Sequence, residues 1–146
     1  MLKIFLMVLS LVAAVAFQFM PDSGGGRFIA LSNAAEHGYA PQMSNERGIK
    51  VTVTLQDIPG EAKTWDFRVV LETHTQNLND DLAKAAVLIA DGRQYLPVGW
   101  EGGPPGGHHR KGLLRFKAIA PQPASLELQI RLSGDASPRS FKWLLK

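Results

Sequence analysis

With 146 residues, a net charge of +3 and an apolar fraction of 45%, the chain has the size and composition of one ordinary globular domain. Its 16 Lys and Arg are scattered rather than gathered on one segment, which argues against nucleic acid as a partner. Cysteine is absent, so disulfides, thiolate metal sites and a lipidated cleavage site are excluded, and the domain must be held by its core.

The chain starts with Met1-Leu2-Lys3, a short basic opening. From Ile4 to Met20 no residue is charged. Residues 1–20 are therefore expected to be a signal peptide or a membrane anchor. Ala14-Val15-Ala16 meets the small-x-small rule for signal peptidase, with cleavage after Ala16. An uncleaved anchor would sit at the lower limit of length for a span, about 17 residues. Either way the rest of the chain is expected to be extracytoplasmic: periplasmic, secreted or membrane-anchored. It would touch the membrane only through this segment, if the segment is uncleaved. Residues 21–48 lack a sustained period and read as a linker, with Gly24-Gly25-Gly26, an isolated apolar patch Phe28–Leu31, and a solvated His37.

From Ile49 onward apolar residues recur at every second position, as in half-buried strands. Ile49, Val51, Val53 and Leu55 form the first set, and Asp57-Ile58-Pro59-Gly60 the turn after it. Trp65, Phe67, Val69 and Leu71 form the second. Asp80 to Ala86 is the one helical candidate, capped by Asn79 or Asp80. Ala85 to Ala90 is a short apolar run closed by Asp91-Gly92, a hairpin signal, with Gln94 to Val98 returning. Leu114, Phe116 and Ala118 alternate next, then Leu126, Leu128, Ile130 and Leu132, then Phe141, Trp143 and Leu145. About seven short antiparallel strands over residues 49–146 predict an all-β, immunoglobulin-like sandwich.

Between the fourth and fifth of these sets lies Trp100-Glu101-Gly102-Gly103-Pro104-Pro105-Gly106-Gly107-His108-His109-Arg110. Imidazole is the commonest protein metal ligand, and glycine lets the backbone approach a ligand closely. Adjacent residues of an extended strand point to opposite faces. His108 and His109 could therefore share one ion only if the chain bends there, which Gly106 and Gly107 permit. His74 ends the Trp65 strand on the same face as Glu72. The candidate metal ligands are His74, His108, His109 and a carboxylate, Asp81 or its neighbour Asp80. Their chemistry suits Zn²⁺ or Cu²⁺. None of the compact zinc spacings is present, so these residues would have to converge through the fold. Packed or hydrogen-bonded histidines in a structural loop are the competing reading. No nucleophile elbow or phosphate loop is present, and Asn77–Asp81 lacks the spacing of a calcium loop.

The order Trp65-x-Phe67-x-Val69, Thr73-His74-Thr75, Leu96-Pro97, Trp100, Gly106-Gly107-His108-His109-Arg110, Leu114-Arg115-Phe116 and Phe141-x-Trp143 resembles an uncharacterised family of small exported or membrane-anchored prokaryotic β-sandwich domains. The resemblance covers about residues 50–146 and implies the fold and location but no activity. A fainter likeness to periplasmic copper-binding sandwiches breaks down on two points: there is no Met-rich run, and no His near the mature N-terminus. The function expected from the residues is a non-enzymatic extracytoplasmic binding module with a metal ion at the histidines. The alternatives are a structural or interaction domain for a protein partner at the cell envelope and, more remotely, a metal-dependent hydrolase.

Overall fold

The computed structural model describes residues 38–145; the expected signal or anchor, most of the expected linker, and His37 lie outside them. The apolar residues that the alternation turned inward are buried, except Ala118 and Leu145 at strand ends, which are half-buried against the core. Nine strands and one helical turn result: β1 (Gln42–Glu46), β2 (Ile49–Leu55), β3 (Thr64–Thr73), α1 (Leu82–Ala85), β4 (Ala86–Ala90), β5 (Arg93–Tyr95), β6 (Gly99–Gly102), β7 (His109–Lys117), β8 (Ser125–Ile130) and β9 (Arg139–Leu144). All pairings are antiparallel, in two sheets of order β1-β2-β3-β7-β6 and β5-β4-β8-β9.

The inward faces of the two sheets meet in one apolar core. Val51, Val53, Phe67, Val69, Leu114 and Phe116 come from the first sheet, and Leu88, Leu126, Leu128, Phe141 and Trp143 from the second. Phe67 joins them: its ring lies 5.4 Å from Phe116 in an edge contact and 5.4 Å from Trp143 across the sandwich. This is the two-sheet, alternating-face construction of a β-sandwich.

Three elements differ from the sequence expectation. β1 falls in the stretch read as linker, where Gln42, Ser44 and Glu46 gave no apolar alternation. It is an edge strand, and the Gln42 side chain bonds both polar groups of the Lys142 backbone in β9. β6 lies inside the glycine loop, so the expected count of about seven strands becomes nine. The strand expected over Gln94 to Val98 covers only Arg93–Tyr95, and the chain then crosses to the other sheet. The hairpins match the turn chemistry. Asp91 and Gly92 have φ of 48° and 74°, and Arg47 and Gly48 have 52° and 75°, the pattern of a type I′ turn.

Two buried arginines pin loops to the sandwich. Arg139, 2% exposed, pairs with Asp135 at 2.9 Å and donates to the carbonyls of Ile49 and Glu46, which flank the β1–β2 turn. Arg110, 3% exposed, extends inward from β7 beside Leu71. Its Nη1 donates to the Leu78 and Asp80 carbonyls at 3.0 and 2.7 Å, and its Nη2 to Gly103 at 3.2 Å.

Candidate functional site

At one end of the five-stranded sheet, three strands place polar side chains on the outer face in register. Lys50 of β2 stands opposite Glu72 of β3, and Glu72 opposite His109 of β7. His74 follows two residues after Glu72, in the bend just past the end of β3, and lines the same recess. These residues project outward because their neighbours Ile49, Leu71, Thr73 and Arg110 are the buried half of the alternation.

The glycine loop supplies the remaining wall. Gly106 and Gly107 have φ of 114° and 71°, a region that favours glycine, and they turn the chain just before His108. The bend is clamped by backbone bonds: Gly106 N–H donates to the Leu78 carbonyl, Leu78 N–H to Gly107, and Thr73 N–H to His108. Further along, Gly102 and Gly112 face each other across β6 and β7. A Cβ on Gly112 would lie 2.5 Å from the Glu101 carbonyl and 2.7 Å from Trp100 Cζ2. The paired glycines leave room for the Trp100 ring, which also donates from Nε1 to Gly103 and lies under the Arg110 guanidinium at 5.7 Å. Trp100 thus braces the loop.

His74, His108 and His109 line one surface recess of about 480 Å³, together with Glu72, Thr73, Lys50, Asn45 and Gly48. All three histidines are exposed. His109 Nδ1 lies 3.7 Å from Glu72 Oε1, while Glu72 Oε2 is held in an ion pair by the Lys50 ammonium. Lys50, hydrogen-bonded to it, holds the Glu72 carboxyl below its ordinary value; partial burial opposes this, and His109 and His74 add to it. Among the described residues, no group of three or more His, Asp or Glu side chains stands ready-made to hold a metal ion.

Asp81 does not line this recess. It is the N-cap of α1, accepting from Ala83 N–H at 3.1 Å, with Lys84 beside it. The cap was expected at Asn79 or Asp80. Asp80 instead accepts from the N–H and hydroxyl of Ser133, at 2.9 and 2.6 Å, so it ties the β8–β9 loop. The carboxylate beside the histidines is Glu72. The sequence signal for it was its shared face with His74; what the sequence lacked was the register that puts His109 across from it. Arg110 was also missed. Burial pushes its guanidinium down from its ordinary value, against the pull of Asp80 and Asp81, and its role is to hold the histidine-bearing loop.

An all-β sandwich with an imidazole-lined recess at one end of a sheet is the class that fold and site define. No family model matches the chain, and no curated protein or solved structure matches it either.

Proposed function

We propose that this chain is a non-enzymatic, extracytoplasmic binding module of immunoglobulin-like type that takes a transition-metal ion, Zn²⁺ or Cu²⁺, at the histidine recess. The observation that carries this reading is that three imidazoles from two separate segments line one recess beside a carboxylate. The backbone sets their positions, and exposed side chains change rotamer on the ps–ns timescale, so closing on an ion needs no refolding. The architecture is supported by strand order. β2-β3-β7-β6 and β5-β4-β8-β9 follow the immunoglobulin order A-B-E-D and C′-C-F-G, with β1 added at the edge. The location rests on the uncharged run after Lys3 and on the Ala14-Val15-Ala16 cleavage pattern.

A second reading, an interaction domain for a protein partner at the cell envelope, is favoured by one feature. Leu96 and Val98, 73% and 61% exposed, flank Pro97 between the edge strands β5 and β6. Thermal melts of the purified chain in rising Zn²⁺ or Cu²⁺ separate the two. Binding to the folded state alone raises the melting temperature with metal concentration. The increment should shrink for His74→Ala and for the double variant His108→Ala, His109→Ala. Identical responses from wild type and both variants would remove the metal reading and leave the interaction domain.

A further inference from the structure

Resting on the metal reading, we infer that Glu72 is the carboxylate ligand of the recess and that Lys50 is a built-in competitor occupying that carboxylate when no metal is bound. Glu72 lies between the two partners. In register, Lys50 stands on one side of it and His109 on the other. One carboxylate oxygen, Oε1, faces His109 Nδ1 at 3.7 Å, and the other, Oε2, takes the ammonium. The carboxylate therefore already bridges toward an imidazole, but a monovalent cation from the protein holds its second oxygen.

The ammonium has no competing role in the core. The Lys50 side chain is 43% exposed and Glu72 38%, so both can move into solvent without opening a cavity. A divalent ion that reaches His109 and His74 from solvent meets Glu72 next. It reaches Oε1 beside His109 first, against the repulsion of the ammonium, and takes both carboxylate oxygens only by displacing Lys50, which then swings out along the β2 face while still protonated. Exposed ion pairs are weak in water, and the pair is screened by salt, so the competitor lowers affinity without closing the site. The arrangement suits a module that loads from a relatively metal-rich exterior and gives the ion up again.

The test is calorimetric titration of the full chain with ZnCl₂, comparing wild type, Lys50→Met, Glu72→Gln and the double variant. Melting temperatures without metal check that each is folded. Removing the competitor and its positive charge should tighten Zn²⁺ binding by about tenfold. Glu72→Gln should weaken it by tenfold or more. That weakening must persist in the Lys50→Met background, where it cannot arise from a freed ammonium beside the ion. If wild type binds Zn²⁺ through the histidines but Lys50→Met binds no tighter, or Glu72→Gln loses nothing in the Lys50→Met background, the inference is overturned and the metal reading stands. If neither wild type nor Lys50→Met binds Zn²⁺, nor Cu²⁺ in a parallel titration, the metal reading itself falls, and the inference with it.

Discussion

Replacing Arg110 by Met removes the one side chain that joins three loop carbonyls at the recess end of the sandwich. The guanidinium donates to Leu78, Asp80 and Gly103, and its Nε makes a fourth, longer contact to Gly103 at 3.4 Å. Hydrogen bonds from a charged donor contribute about 1.5–3 kcal/mol each before the cost of burying the charge. That cost is several kcal/mol for an ion with no carboxylate in contact, so the sum overstates the loss. Met matches the stem in volume, so no large cavity opens. The Asp80 and Gly103 carbonyls are only partly buried, so water can recover part of their bonding, whereas the Leu78 carbonyl is buried. The net destabilisation should be about 3 kcal/mol, equivalent to a fall in melting temperature of roughly 10–20 °C for a domain of this size. Urea unfolding measures the first figure. Amide exchange locates it: the N–H groups of Thr73 and Leu78, bonded to His108 and Gly107, should lose protection before the strands do. Arg110→Lys should recover only part, because an ammonium cannot fork across separated acceptors. A loss below about 1 kcal/mol with both amides still protected would refute the claim that Arg110 holds the loop.

Two further outcomes follow from the packing and the charges. Gly112→Ala drives a methyl into the Glu101 carbonyl and the Gly102 backbone, which cannot move aside as a side-chain tip could. It should cost about 2–3 kcal/mol by urea melt, and a loss within 0.5 kcal/mol would show that β6 and β7 can separate freely. Asp135 has its carboxyl held below the ordinary value of 3.8: burial acts upward, and the Arg139 and Leu132 hydrogen bonds with the charges of Arg139 and Arg47 outweigh it. Its contribution is therefore fully present above that ordinary value and is lost as pH falls from there through the lower, folded value. Asp135→Asn leaves Arg139 buried without its counter-charge and should cost about 3–5 kcal/mol at pH 7. The gap to wild type should narrow only below about pH 4, and a gap unchanged down to pH 3 would contradict the assignment.

Where burial decides conformation, the chain was legible from its order of residues. β2 and β8 alternate strictly, and β3, β7 and β9, though the apolar pattern is broken at Val70, Leu113 and Leu144, still turn their core residues inward. Asp91-Gly92 announced its hairpin because both residues tolerate positive φ. The strands that escaped notice lack an apolar face: β1 reads Gln-Met-Ser-Asn-Glu, and β6 carries glycine at both ends. The recess was half legible. His74 and His109 were named as partners, but a choice between Asp81 and Glu72 depends on cross-strand register, which residue types do not encode locally. The cap of α1 was expected at Asn79 or Asp80, but Ser133, more than fifty residues away, claims Asp80, and the cap falls one residue later at Asp81. Arg110 follows a pair of histidines, and nothing in the neighbouring residues marks it for burial. Its burial depends on carbonyls from two loops that only the finished fold brings to it.

The Gln42 side chain has a consequence for the whole sandwich. One N–H and the carbonyl of its primary amide stand in the arrangement of a peptide unit, and they meet the C=O and N–H of Lys142 as a neighbouring strand would. The outer edge of β9 therefore carries a one-residue imitation of a strand at that point. On that flank β1 of one sheet is tied to β9 of the other, while on the opposite flank the chain itself passes from β5 to β6. The two-layer structure is thus stitched on both sides, by a covalent crossing on one and a side-chain amide on the other. A β-strand from another molecule would have to evict its own glutamine mimic before it could extend the sheet at Lys142.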